Sequence, residues 1–188
     1  MAISPIFELG MWNAWLLMSV FIIQMFVMFF ADRRIWRKSH VTHQIQKNKF
    51  GKHVGELANI TWLIALIYSI FLPLKINTFY FYMGMIVFIV GIIILIRATY
   101  DFITTKPNKI IKKGVYAYSR HPMYLATFII ILSIAIASLS WLFVILNIIL
   151  IFFFSRVAII EEQYCLDMFN AEYVTYMHHV PRWIGIPQ

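Results

Sequence analysis

Charge is the scarcest commodity in this sequence. Asp, Glu, Lys and Arg make up 13% of 188 residues, roughly half the share of an ordinary soluble domain, and too few to coat a water-facing globule. Acidic residues are rarest, 8 against 16 Lys and Arg, leaving a net charge of +8. A single cysteine, Cys165, excludes a disulfide framework and any CxxC metal or redox motif. No GxGxxG fingerprint and no alternation of strand and helix patterns is present, which excludes a Rossmann domain. The first apolar stretch lacks a basic n-region and a small-residue cleavage site, so the first helix is expected to stay in the mature protein.

What the chain has is hydrocarbon. Apolar residues make up 62%, with charge-free blocks at 12–31, 57–74, 79–96 and 123–155. About 20 helical residues cross ~30 Å of bilayer core, so the first three blocks read as single spans. The fourth, running on to Ile160, would make a helix of ~55 Å and reads as two spans, 122–138 and 140–160. The break falls at Ala137-Ser138-Leu139-Ser140, whose small and hydroxylated residues suit a turn; one long tilted helix is the alternative. The expected fold is one all-α integral membrane domain over 1–188, with about five transmembrane helices.

The basic residues sit in short loops rather than on a face interleaved with aromatics, which argues for topology and against nucleic acid. Arg33, Arg34, Arg37, Lys38, Lys47, Lys49 and Lys52 follow the first span, and Lys106, Lys109, Lys112, Lys113 and Arg120 follow the third. The positive-inside rule puts both segments in the cytoplasm, with the N-terminus outside and the C-terminal segment cytoplasmic. The stretch 32–53 reads as an interfacial helix or loop, anchored by Trp36 and touching anionic lipid heads. Pro73 ends the second span, Lys75-Ile76-Asn77-Thr78 forms a turn, and Pro107-Asn108 breaks the chain after the third. Gly84 and Gly91 share one face for close helix contact, and Asn59 and Asn147 are expected to face other helices. Glu162–His178 reads as an amphipathic helix, with Leu166, Phe169, Tyr173 and Tyr176 or Met177 at helical spacing, ended by Pro181.

Polar groups at a membrane boundary need a reason, and three sets fall on one side: the loop 108–124, Arg156, and Glu161-Glu162. The hairpin of the fourth and fifth spans makes neighbours of its two ends, at Pro122 and near Glu161. Gly114 permits a turn, Pro122 suits a first helical position, and His121 lies at that helix's N-terminus, where free N–H groups suit a carboxylate. The glutamates can accept from an amine or hydroxyls, so a ligand bearing both kinds of group is implied. Arg156 has an alternative fate in snorkelling to the interface, and Glu161-Glu162 in favouring the start of the final helix. His40 with His43, and His178-His179, lack a completing carboxylate or cysteine, so no metal site is expected.

The run 110–124, Ile110-Ile111-Lys112-Lys113-Gly114-Val115-Tyr116-Ala117-Tyr118-Ser119-Arg120-His121-Pro122-Met123-Tyr124, with Glu161-Glu162, Phe169-Asn170-Ala171-Glu172-Tyr173-Val174-Thr175-Tyr176 and Val180-Pro181, resembles the isoprenylcysteine carboxyl methyltransferase family, related to phospholipid N-methyltransferases. The resemblance covers the C-terminal half, with the cofactor site within 108–188. It implies a membrane methyltransferase that uses S-adenosylmethionine and releases S-adenosylhomocysteine. By motif position, the backbone of Lys109, Ile110 and Ile111 lines the cofactor site with Tyr116 nearby. His121, Pro122, Met123 and Tyr124 hold the cofactor, and Glu161 and Glu162 complete the pocket. Arg156, beside catalytic Glu161, orients the acceptor, although five positions separate the two where four would align them. Where the family usually carries glycine, this chain has Asn170-Ala171. The implied acceptor is the carboxylate of a lipophilic or prenylated cysteine substrate, reached through the membrane lipids; the alternatives are a phospholipid amine and, in another class, a non-catalytic transport or assembly protein.

Overall fold

The computed structural model describes residues 8–31, 49–106 and 109–186. Its helices are α1 (Trp15–Ala31), α2 (Lys49–Phe71), α3 (Phe79–Thr104), α4 (Pro122–Ser138), α5 (Trp141–Phe169) and α6 (Ala171–His179), with a 3₁₀ turn at Gly114–Ala117. Among the described residues there is no strand beyond an isolated bridge between Asn13 and Pro73. Gly51–Phe71, α3 and α5 are long and apolar enough to cross a membrane, and α1 and α4 are shorter apolar helices. The protein is an all-α integral membrane protein.

Backbone contacts show how the helices alternate. At one end, Ala14 N donates to Leu72 O (2.8 Å), Leu74 N to Trp12 O (3.1 Å) and Lys75 N to Ala137 O (3.0 Å). The start of α1, the end of α2 and the end of α4 therefore meet there. The hairpin break falls where the small and hydroxylated residues placed it: Leu139 adopts φ 54° and Ser140 caps α5 by accepting from Phe143 N (3.3 Å). One continuous helix is ruled out, and the start of α4 and the far half of α5 are brought together at the opposite end.

Without a hydrophobic gradient between lipid and protein, helices in a bilayer associate by close packing of small residues. A Cβ on Gly84 would lie 2.6 Å from Ala137 Cβ and 2.8 Å from both Ala137 N and Ser133 O, and one on Gly91 2.6 Å from Ile130 Cγ1. At Gly91 the closest atom belongs to a side chain, whereas at Gly84 the backbone of α4 itself stands in the way. Gly84→Ala is therefore expected to cost about 1–3 kcal/mol by overpacking and to lower the thermal midpoint in detergent more than Gly91→Ala; equal midpoints would contradict this packing. Asn147 donates to Phe128 O (3.1 Å), facing α4 as expected. Asn59 does not face another helix among the described residues: it lies on the exposed side of α2.

Several boundaries differ from the charge-free blocks, because those blocks measure hydrocarbon thickness rather than helix length. α2 starts at Lys49 and carries the Lys52–Glu56 pair (3.8 Å) one turn apart. α3 runs past Arg97 and Asp101 to Thr104, and α5 past both glutamates to Phe169. Glu161 and Glu162 thus lie inside a helix and do not head the last one, which removes the helix-start reading. The basic residues of 32–48, with Trp36, His40 and His43, lie outside the described residues. The amphipathic segment breaks at Asn170 (φ 47°, ψ −126°), yet its stripe of Leu166, Phe169, Tyr173, Tyr176 and Met177 still forms one apolar cluster with Val180 and Ile110. Such a backbone suits glycine and strains asparagine by about 1–3 kcal/mol. Asn170→Gly is expected to raise the thermal midpoint, net of glycine's greater unfolded-state freedom; a lower midpoint would refute the strain.

Candidate functional site

Pro122 occupies the first turn of α4, where its missing N–H costs nothing, and His121 precedes it as N-cap without capping through its side chain. The imidazole is instead directed at α5. Its Nε2 lies 3.2 Å from Glu162 Oε1 and its Nδ1 3.4 Å from Glu161 Oε2. One turn into α4, Tyr124 stacks on the His121 ring (centroids 5.6 Å apart, planes 2° from parallel) and donates its hydroxyl to Glu161 Oε1 (2.7 Å). Phe154 also stacks on Tyr124, at 4.7 Å between centroids.

The two glutamates, adjacent in sequence, point about 100° apart around the helix and do different work. The Glu162 side chain is 4% exposed and takes Arg120 Nη2 at 3.1 Å, with a two-pronged contact from Arg182, Nε to Oε1 at 3.0 Å and Nη2 to Oε2 at 2.6 Å. The Glu161 side chain is 25% exposed, and among the described residues its partners are Tyr124 and His121. Glu162 ties the site together, and Glu161 is the more open of the two.

Both nitrogens of His121 meet carboxylates, and only the protonated ring offers an N–H to each. Burial opposes the charge, but the hydrogen bonds to Glu161 and Glu162 and their negative charges outweigh it and raise the histidine above its ordinary value of 6.5. The stability this pairing contributes is therefore complete below about pH 6.5 and is lost as pH rises through the raised folded value. Thermal midpoints of the wild type and His121→Gln are expected to converge as pH rises from about 6 to 9; a gap independent of pH would contradict the charged pairing.

The remaining residues singled out from the sequence are placed less uniformly. Tyr116 is buried in the 3₁₀ turn, its carbonyl accepts the Tyr176 hydroxyl (2.7 Å), and burial, Tyr176, Glu161 and Asp101 hold its phenol above the usual range. Ile110 packs against the buried Tyr173, Tyr176 and Val180 cluster, as do Cys165 and Leu166 from the turn of α5 after the glutamates. Lys109 is exposed, and Ile111 and Met123 are half-buried. Arg156 is not brought to the cluster: it is exposed, with its guanidinium 5.3 Å above the Phe152 ring. Groups of metal-binding side chains are not found among the described residues.

Sequence reasoning missed the cations that hold Glu162. The positive-inside reading uses Arg120 as a topology charge, yet its side chain is 8% exposed. Arg182 and Trp183 lie on the tail after α6, which folds back across the loop: Arg120 N donates to Pro181 O (3.1 Å), Ser119 Oγ to Arg182 O (3.2 Å) and Gly185 N to Tyr118 O (3.2 Å). Trp183 then closes on His121 and Phe128, at 6.1 and 5.6 Å between rings. The one available signal was a basic-aromatic pair directly after a helix stop.

Comparison with known proteins bears on this region. The chain is 37% identical over 79 residues to the protein-S-isoprenylcysteine O-methyltransferase of Saccharomyces cerevisiae (strain ATCC 204508 / S288c), covering 42% of this chain and 32% of that protein. The match thus spans about a third of the relative's length. The family model described as phospholipid methyltransferase matches residues 79–172. That is half of the sequence, from the start of α3 through both carboxylates to the first turn of α6, and on it the chain belongs to the phospholipid methyltransferase family.

Proposed function

We propose that this chain is an S-adenosylmethionine-dependent methyltransferase that esterifies the carboxylate of a lipophilic, isoprenylcysteine-like acceptor. The observation that carries the reading is the contact of Tyr124 with Glu161 beside His121, which joins the two ends of the α4–α5 hairpin in one partly open polar cluster. The residues suit such a donor. The first amides of α4 lack intrahelical partners by geometry, and Arg120 Nε is buried without a partner among the described residues, a donor set for a carboxylate. Glu161, with the backbone of Lys109, Ile110 and Ile111, supplies acceptors for an amine and hydroxyls, and Tyr116 flanks them.

When bound, the donor supplies a methyl group already activated by its sulfonium, so the protein's tasks are alignment and exclusion of water. His121, Met123 and Tyr124 hold the donor's polar groups in this reading, Pro122 sets the helix start, and Glu161 closes the pocket. Glu162 supports the pocket through Arg120, His121 and Arg182. Arg156 lies five residues before Glu161, about 7.5 Å along the axis toward the membrane. There its planar fork can meet a carboxylate arriving sideways through the bilayer. A soluble donor entering from the cytoplasm accords with the positive-inside reading, which has the site and the C-terminus on that side.

Methylation of a phospholipid amine is the second reading, favoured by the description of the matching family and by the separation of Arg156 from the carboxylates. Glu161 or Tyr124 would then help remove the amine's proton. Labelled donor offered with a farnesylated cysteine analogue and with phosphatidylethanolamine in parallel tests both. Transfer to the first supports carboxyl methylation, transfer to the second alone selects the amine, and transfer to neither counts against both.

A further inference from the structure

Asp101 sits near the end of α3 with a side chain 1% exposed, in a helix apolar enough to span a membrane. A carboxyl group in that position needs a purpose. Its Oδ2 takes Arg97 Nε at 3.3 Å from one turn earlier and accepts the Val115 N–H at 3.3 Å. Its Oδ1 is buried without a partner among the described residues. Gly114 lies directly across the carboxylate: its φ is +59°, and a Cβ there would stand 1.9 Å from Oδ2. Glycine is thus required twice, for its backbone angle and for the approach of Asp101.

The contact has a direction. Arg97 is half exposed, so the pair contributes little on its own, and leaving Oδ1 unsatisfied is unfavourable. The gain lies in the segment that Asp101 grips. Val115 lies in the first half of the 3₁₀ turn that carries Tyr116, and the same loop is tied to α3 again by Lys113 Nζ on Thr104 Oγ1 (2.8 Å). Tyr116 is in turn fixed from the far side by Tyr176 on its carbonyl.

We propose that Asp101 is a positioning residue of the donor site: it clamps the Gly114–Val115 backbone to α3 and so sets the place of Tyr116 on the loop that leads to His121. The proposal rests on the methyl-donor reading for its functional half, while the clamp itself does not depend on it.

The test pairs two variants with two readouts. Asp101→Asn keeps an oxygen for the Val115 N–H, and Asp101→Leu keeps the volume without an acceptor. Hydrogen exchange of peptides covering 112–118 reads the clamp, and calorimetric titration with S-adenosylhomocysteine reads the site. Asp101→Leu is expected to lose protection at 112–118 and to weaken binding by about tenfold or more, with the acceptor KM little changed; Asp101→Asn is expected to retain most of both. Should Asp101→Leu fail to fold, Gly114→Ala forces the turn off the carboxylate and is expected to give the same two losses. Wild-type exchange and affinity in Asp101→Leu would overturn the proposal, as would an Asp101→Asn variant as damaged as the leucine. Wild-type protein that binds no S-adenosylhomocysteine defeats the donor reading, and the exchange data then judge the clamp alone.

Discussion

Glu162→Ala is expected to cost about 3–5 kcal/mol, the usual penalty for stripping one partner from a buried ion pair. The carboxylate serves Arg120, Arg182 and His121 together. Removing it leaves Arg120 charged and enclosed, and frees the tail from 180 to 186 that Arg182 pins across the loop. Stabilities of folded proteins total about 5–15 kcal/mol, so this is a large share. At about 2–4 °C per kcal/mol for a chain of this size, the midpoint should fall by roughly 6–20 °C, with early proteolysis after α6. Glu162→Gln keeps an acceptor oxygen and should fall less. A Glu162→Ala protein with the wild-type midpoint would show that the three cations do not depend on this carboxylate.

Glu161→Gln should give the opposite pattern. Glu161 is a quarter exposed, and its partners Tyr124 and His121 both keep others: Tyr124 its stacking on Phe154, and His121 its contact with Glu162. The fold should therefore stand, with a midpoint within a few degrees, while methyl transfer drops by about 100-fold or more, as expected when a charged hydrogen-bonding group facing a ligand is neutralised. An active Glu161→Gln enzyme would remove Glu161 from the chemistry. Two neighbouring carboxylates with opposite outcomes, one structural and one functional, is the signature to look for.

The sequence contained the hairpin because hydrocarbon thickness is a hard limit: the run 123–155 is too long for one crossing, and Ser138 and Ser140 were its only hydroxylated pair near the middle. It also contained the meeting of Tyr124 with Glu161, since a hairpin leaves its two ends adjacent. The division between Glu161 and Glu162 was not legible, because the register of α5 depends on packing that a uniformly apolar helix does not encode. Nor were Arg182 and Trp183, which reach the site through a return of the chain after α6, or Asp101, whose partner Gly114 lies beyond a loop. Helix ends past the membrane were underestimated for a simpler reason: pairs such as Lys52–Glu56 and Arg97–Asp101 continue a helix where an apolar criterion stops.

Calorimetric titration of S-adenosylhomocysteine into the purified protein in detergent measures directly whether the joined ends of α4 and α5 grip a water-soluble methyl donor. One site per chain is expected for the wild type and for Arg156→Ala, with affinity reduced by about 100-fold in Glu161→Gln. Heat of binding equal in Glu161→Gln and wild type, or absent from the wild type, would contradict that grip.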